Sequence, residues 1–441
     1  MGFKPRPSRA ALGVLQRYQA SQCQTMFVLE YKVKPKPDQV EAIEEAIRTT
    51  QFVRNKVLRY WMDNRGVGKT ELFRYNTRLR KEFKFVEELN SHACQTAVER
   101  TLRAITRFYE NCKSQVKGKK RCDPAPSHGA RERAPREGYP QFKRNTRSVE
   151  YKVSGWKLSE DRKHIVFTDK KGIGHLRLIG SRDLNYYHPE QIKRVRILRR
   201  ADGYYVQFSI KLDPRLTVSK PLTPSQKTVG IDVGLKYFLA DSQGNIEPIP
   251  QFYRKSQKQL NRLNRQKSKK FRKGQPQSQN YRKARQRYAR KHLRVSRQRE
   301  EFAKRVALRL IQSNDLVAYE DLNVAGLVKN RHLAKSISDA GWTLFRRWLE
   351  YFADKYGKIA IAVPPHHTRQ NCSSCGEKVQ KTLSTRTHVC PHCGFVADRD
   401  TNAAINILKL GLSRVGRTRI HASGETPSWL VGEILSANGD S

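Results

Sequence analysis

Acidic residues are scarce in this sequence. Asp and Glu number 40 against 88 Lys and Arg, so the formal net charge is +48 over 441 residues. A chain so short of negative charge repels itself unless a polyanion neutralises it. Apolar residues are also few, at 37%. No apolar run approaches the ~18 residues that a membrane-spanning helix needs. A membrane-surface protein would gather its charge on one amphipathic helix or a polybasic tail. Here basic residues recur in every segment from Lys32 to Arg419. That spread argues against a membrane and predicts long contact with phosphate backbones. The N-terminus has no apolar core of a secretory signal, which predicts a reducing, cytoplasmic setting. Of eight cysteines, Cys23, Cys94, Cys112 and Cys122 are scattered without pairing logic.

The hydrophobic pattern divides the chain. Residues 1–25 are unlike the segment after them and are expected to be a disordered extension, with Met26 as the functional start. MFVLEYKVKP then reads as a strand. From Pro37 the apolar positions Ala42, Ile43, Ala46, Ile47, Phe52, Val53, Val57, Leu58 and Trp61 recur at helical spacing. A break at Asn64–Gly68 and a second helical block from about Thr70 to Cys112 complete a small helical bundle. Residues 113–140 carry Pro, Gly and basic residues without periodicity and read as a linker. The segments YKVSGWKLS, HIVFTD, GHLRLIG, IKRVRILRR and GYYVQFSIKL alternate apolar and polar residues, as an antiparallel barrel or sheet requires.

A different unit begins at 222. TVGIDVG has the apolar run of a core strand, and YFLADSQGNI comes next as its hairpin partner. LVAYE at 316–320, the helix GWTLFRRWLEYFADKYG, KIAIAV at 358–363 and the helix TNAAINILKLG come later. This order suits an RNase H-like α/β sheet. A long helical insertion spans 253–313. Between Arg254 and Arg309 it holds 22 Lys or Arg and only two acids, Glu300 and Glu301. Tyr253, Phe271, Tyr281, Tyr288 and Phe302 are interleaved. Such unpaired charge predicts a nucleic-acid-facing helical hairpin. Candidate contacts are Arg254, Lys255, Arg262, Arg265, Lys269, Lys270, Arg282, Arg285, Arg290 and Arg294.

Two constellations carry chemistry. Cys372-x-x-Cys375 and Cys390-x-x-Cys393 stand fourteen residues apart, with Gly376 and Gly394 after each second sulfur. Four thiolates so spaced close a tetrahedral site for one structural Zn²⁺. His388, His392, His366 and His367 then have no ligand position left and are read as bystanders. The second constellation is acidic. Asp232 sits within a core strand, where an unpaired carboxylate is costly. Glu320 ends LVAYE, followed by Asp321, and Asp400 opens the last helix. In an RNase H-like sheet the first and fourth strands are neighbours, so Asp232 and Glu320 should converge and Asp400 complete the set. Clustered carboxylates need divalent cations; two Mg²⁺ about 4 Å apart would bridge a scissile phosphate, one activating water and one stabilising the leaving 3′ oxygen.

GIDVGLKYFLA and VAYEDLNVAGL resemble the first and second RuvC motifs of TnpB and of compact type V CRISPR effectors. CSSCG…CPHCG followed by DRDTNAAINIL resembles their zinc ribbon and third motif. TRQ before the first cysteine, GYPQFK, and YKVKPKPDQVEAIEEAIRTTQFVR are also TnpB-like, so the likeness runs from about Met26 to Leu410. It implies a multidomain α+β protein. A β-barrel wedge domain would span 26–36 and 123–221, and a helical recognition domain 37–122. The RuvC nuclease would span 222–365 and 397–412, with the zinc ribbon at 366–396. The tail at 413–441 is expected to be disordered. The resemblance further implies a metal-dependent endodeoxyribonuclease of the bacterial cytoplasm or nucleoid, using Asp232, Glu320 and Asp400. Its guide RNA would come from the transposon end and select target DNA, with one RNA per monomer. In DRD, Asp400 rather than Asp398 matches the third motif. A compact CRISPR effector and a non-cleaving regulator of transposition are the competing readings.

Overall fold

The computed structural model describes residues 26–64, 66–114, 138–211, 225–382 and 385–422. The extension 1–25, the linker over 115–137 and the tail beyond Ala422 lie outside the described residues, as do Cys23 and Cys122. The chain divides into two compact units, one within Cys23–Asp213 and one within Pro214–Ser441. No helix among the described residues is long and apolar enough to cross a membrane.

In the first unit, β1 (Met26–Val33) leads into three long helices, α1 (Pro37–Asp63), α2 (Lys69–Glu82) and α3 (Ser91–Lys113), with a single helical turn at Lys84–Glu87 before α3. Pro37 starts α1 where a missing N–H costs nothing, and the Gln39 side chain accepts from the Lys36 N–H at 3.0 Å. Ala42, Ile43, Ala46, Ile47, Val53, Val57 and Leu58 are buried, as their spacing required. Asn90 caps α3 by accepting from the His92 N–H at 2.8 Å. The strands β2 (Ser148–Lys152), β3 (Trp156–Leu158), β4 (His164–Phe167), β5 (Gly174–Ile179), β6 (Ile192–Arg200) and β7 (Gly203–Lys211) join β1 in one antiparallel sheet. Its order is β2-β6-β7-β1-β5-β4-β3.

YKVSGWKLS, which reads as a single strand, is two. A turn at Val153–Gly155 separates β2 from β3, and these form opposite edges of the sheet. Laid flat, seven strands would be about 29 Å across. The turn spans at most about 15 Å. The sheet must therefore curl until its edges approach each other. Gly155 serves this bend, since a Cβ there would lie 2.9 Å from Cβ and Cδ1 of Tyr151. Among the described residues no ladder joins β2 to β3, so the expected barrel is a curled, half-closed sheet. Ile43, Val53, Leu79 and Ala97 from the helices share one core with Leu29, Val149, Ile197 and Phe208 from the sheet.

The second unit holds a five-stranded sheet of β8 (Thr228–Val233), β9 (Tyr237–Asp241), β10 (Ile246–Pro248), β11 (Leu316–Glu320) and β12 (Ile359–Val363). Its order is β10-β9-β8-β11-β12, with β8, β11 and β12 parallel and β9 antiparallel. Between β10 and β11 stand α4 (Phe252–Ser268) and α5 (Gln279–Ser313). The last third of α5 buries Ala303, Val306, Ala307, Leu310 and Ile311 in the sheet's core. Then come α6 (Ala334–Ala340) and α7 (Trp342–Tyr356), the latter adding Phe345, Leu349 and Phe352 to that core. A small hairpin, β13 (Thr387–Val389) with β14 (Val396–Asp398), precedes α8 (Arg399–Ala422). The expected disordered tail at 413 is corrected over 413–422, because α8 continues to Ala422. Leu412 and Val415 pack in the small core that α8 shares with Leu316, Ala318 and Val363, and this burial prolongs the helix.

Candidate active site

Strand β8 alternates its side chains across the sheet. Ile231 and Val233 serve the core with α5 and α7, while Gly230 and Asp232 face α8. Gly230 is what lets α8 come close. A Cβ there would stand 2.1 Å from the Ala404 carbonyl oxygen and 2.7 Å from the Leu408 nitrogen. Gly411 repeats the device against Ala318, at 2.6 Å. With α8 seated on β8 and β11, its first turn brings Asp400 to the strand ends that carry Asp232 and Glu320.

Asp232 is 2% exposed. Arg369 clamps it, Nε donating to Oδ2 at 3.0 Å and a terminal nitrogen to Oδ1 at 2.7 Å. The same guanidinium reaches the Val233 carbonyl at 3.3 Å. Burial pushes the Asp232 carboxyl up, Arg369 pulls it back, and Glu320 and Asp400 add to the rise, leaving it at about 6. Burial opposes the charge on Arg369, but Asp232, Glu320 and Asp400 outweigh it and hold the guanidinium well above its ordinary value. Glu320 is also buried, and the Thr368 hydroxyl donates to its Oε1 at 2.5 Å. TRQ thus sets one side chain on each of two acids.

The neighbours of these acids do other work. Asp321 pairs with Arg346, which also donates to Glu350 at 2.8 Å. The Asp398 carboxylate accepts from the N–H groups of Asp400 at 2.8 Å and Thr401 at 3.3 Å, the position of a helix N-cap. Asp400 is left free of capping, with Arg399 at 3.3 Å and Arg386 at 4.0 Å.

Sequence reading missed the anchors of this site. Asn402 donates to the Asn371 carbonyl at 2.8 Å and accepts from the Ser373 N–H at 2.8 Å. Asn406 donates to the carbonyls of Thr368 and Asn371 at 2.9 and 2.8 Å, and Lys409 to that of Ser373 at 2.6 Å. Positions 402, 406 and 409 lie on one face of α8, so that face grips the loop carrying Thr368 and Arg369. The signal was there in Asn-Ala-Ala-Ile-Asn, two amides four residues apart on an apolar helix.

Beside this loop the sulfurs of Cys372, Cys375, Cys390 and Cys393 all lie within 4.8 Å of one another. The Cys372–Cys393 and Cys375–Cys390 separations are 3.7 and 3.6 Å. Four Zn–S bonds of about 2.3 Å in a tetrahedron require edges of about 3.8 Å, so the set fits zinc. The two turns are alike: Gly376 and Gly394 sit at φ +84° and +71°, each donating its N–H at 3.0 Å to the first cysteine of its pair. His388 is buried against Lys381 rather than in the ligand set, and His366, His367 and His392 are exposed. Among the described residues no other group of three or more such ligands is so close. The carboxylates of Asp232, Glu320 and Asp400 stand farther apart.

The ten basic residues singled out in the 253–313 insertion are all exposed. The start of α4 is fixed by Asp339 of α6, whose carboxylate accepts from the N–H groups of Tyr253 at 2.9 Å and Arg254 at 3.1 Å.

Residues 207–331 match a family model described as "Probable transposase", and residues 342–407 match a Cas12f1-like TNB domain. A protein of Streptomyces pristinaespiralis, named as a candidate RNA-guided DNA endonuclease, is 30% identical over 407 residues, covering 88% of this chain and 90% of the relative. InsQ of Escherichia coli K12, similarly named, is 29% identical over 63% of this chain and 69% of its own length. A solved complex of Cas12f1 with sgRNA and target DNA covers 87% of this chain and 99% of its own at 15% identity, with a TM-score of 0.31.

Proposed function

The chain belongs to the TnpB-type family of RNA-guided DNA endonucleases, and from that membership we propose that it cuts DNA with Asp232, Glu320 and Asp400 at the end of a RuvC, RNase H-like sheet. One observation carries the residue assignment. Acids on two parallel strands and one helix meet at a single end of the sheet, and each neighbouring acid has a separate structural task. The segments 222–365 and 397–412 are then the nuclease, and 366–396 its zinc ribbon. The segments 26–36 and 123–221, within which the curled sheet lies, are the wedge, and 37–122, which holds α1 to α3, is the recognition domain. The partners are a guide RNA from the transposon end and target DNA, with one RNA per monomer.

The donor set is three carboxylates, the hard oxygen ligands that Mg²⁺ prefers. Two Mg²⁺ held by Asp232, Glu320 and Asp400 would supply a water ionised near neutral pH and charge neutralisation at the scissile phosphate. The protein's own contribution is placement. Arg369 keeps Asp232 ionised despite its burial, and Thr368 fixes the rotamer of Glu320. Asn402 and Asn406 hold both of those residues through the loop they share. Exposed Lys and Arg of α4 and α5 bind phosphates without reading bases.

The names of the relatives favour a transposon protein over a CRISPR effector. The retained acids favour cleavage over regulation. Purified protein bound to its RNA, given Mg²⁺ and a duplex matching the guide, is expected to cut it. Asp232→Ala, Glu320→Ala and Asp400→Ala are each expected to lower the rate at least a thousandfold while target binding persists. A reprogrammed guide that leaves the cut site unchanged would refute RNA guidance.

A further inference from the structure

Lys269, Lys270, Phe271, Arg272 and Lys273 follow one another in the turn between α4 and α5, and all five are exposed. Phe271 is 54% exposed. A phenyl ring in water is unfavourable, and a loose loop would fold it onto the helices. This loop is built to prevent that. Gln277 donates to the carbonyls of Arg272 at 2.5 Å and Gln275 at 2.9 Å, and accepts from the Arg272 N–H at 3.3 Å. The Phe271 N–H closes a turn on the Ser268 carbonyl at 3.1 Å, and Gly274 reverses the chain at φ +73°. Ser278 caps α5 by accepting from the Tyr281 N–H at 3.2 Å. The Tyr281 ring supports the phenyl from one side, centroids 5.6 Å apart. More than half of Phe271 still faces solvent, and the four cationic residues flank it in the chain.

We propose that Phe271 is a stacking platform for an unpaired nucleobase of a strand whose phosphates lie on Lys269, Lys270, Arg272 and Lys273. The inference rests on reading α4 and α5 as a nucleic-acid face. Charge selects the occupant: an apolar peptide seated on this ring would have to desolvate the four cations, whereas a nucleotide offers a π-face and an anion together.

The test uses full-length protein freed of RNA in high salt. The probes are single-stranded DNA oligonucleotides carrying 2-aminopurine at successive positions. With no guide to set a register, the wild type is expected to quench 2-aminopurine at every internal position. Phe271→Ala should abolish that quench and weaken binding about tenfold, with the salt dependence unchanged. Phe271→Trp should restore both. The double change Lys269→Gln with Lys270→Gln should instead reduce the slope of log K against log salt by about 1.4. If Phe271→Ala binds and quenches as the wild type while the lysine change lowers the slope, stacking is refuted and the nucleic-acid face stands. If neither change has an effect, the reading of the hairpin falls with it.

Discussion

In the turn that opens α8, two aspartates separated by one residue are told apart by their hydrogen bonds. Asp398 spends its carboxylate on the helix N-terminus, while Asp400 is free of capping and adds to the negative charge felt by buried Asp232. Asp398→Ala is therefore expected to cost about 1 kcal/mol of stability and to leave cleavage near normal. Asp400→Ala should cleave nothing and unfold close to the wild-type temperature. The opposite pattern in a paired cleavage and melting experiment would reverse the assignment. Glu150 offers a purely structural contrast. It is 2% exposed and meets Arg100, Arg194 and Arg196 at 2.8, 2.7 and 2.5 Å. Burial alone would raise its carboxyl, but the three guanidinium groups lower it from 4.5 to about 2. A lowered value means that the stabilisation is fully present above 4.5 and lost as pH falls through about 2. The gap corresponds to about 3 kcal/mol. Glu150→Gln should thus destabilise the protein by about 3 kcal/mol at pH 7, leaving three half-buried arginines without this partner. In urea titrations the difference from wild type should shrink toward pH 2; a constant difference would refute the account.

At the scale of elements, the site depends on how near α8 lies to β8. Gly230→Ala places a methyl group against backbone of α8, which cannot rotate aside as a side chain can. The helix must shift, carrying Asp400 and the Asn402–Asn406 face with it. The expected outcome is a loss of about 1–3 kcal/mol, as for overpacked cores, together with a cleavage defect of at least about a hundredfold. Gly244→Ala is the control, since nothing lies within 4 Å of the added methyl, although its φ of +87° carries backbone strain. Equal cleavage defects in the two variants would show that strain, not helix position, matters.

For the whole molecule, the four-cysteine cluster is joined to the three acids by the loop 368–373. Removing zinc should therefore reach the three acids proposed to act in cleavage. Cys375→Ser, or prolonged chelation, is expected to release one zinc per chain and to lower both stability and cleavage. Metal analysis of the wild type showing less than one zinc per chain would overturn this. The +48 charge predicts a second molecular property: RNA-free protein should bind DNA indiscriminately, with affinity falling steeply as salt rises.

Much of this protein was legible in its sequence because the informative features are local. Helical spacing from Ala42 to Leu58, the two cysteine pairs with their glycines, and the crowding of Lys and Arg in 253–313 each arise from residues near one another in the chain. Asp232 was also legible as a candidate, since a carboxylate in a core strand needs a reason, and Glu320 and Asp400 were legible through the order of the motifs that carry them. What the sequence could not carry was anything that depends on partners far along the chain. The break within YKVSGWKLS, which curls a sheet by sending β2 and β3 to opposite edges, is set by where the other strands pair. The clamp of Arg369 on Asp232 spans 137 residues, and the amides of α8 hold a loop more than thirty residues upstream. The spacing of the two amides marks a polar face on α8, but no period or spacing names the partner in such contacts. They arise because glycines at 230 and 411 let one helix close on a sheet, and only the folded chain brings those surfaces together.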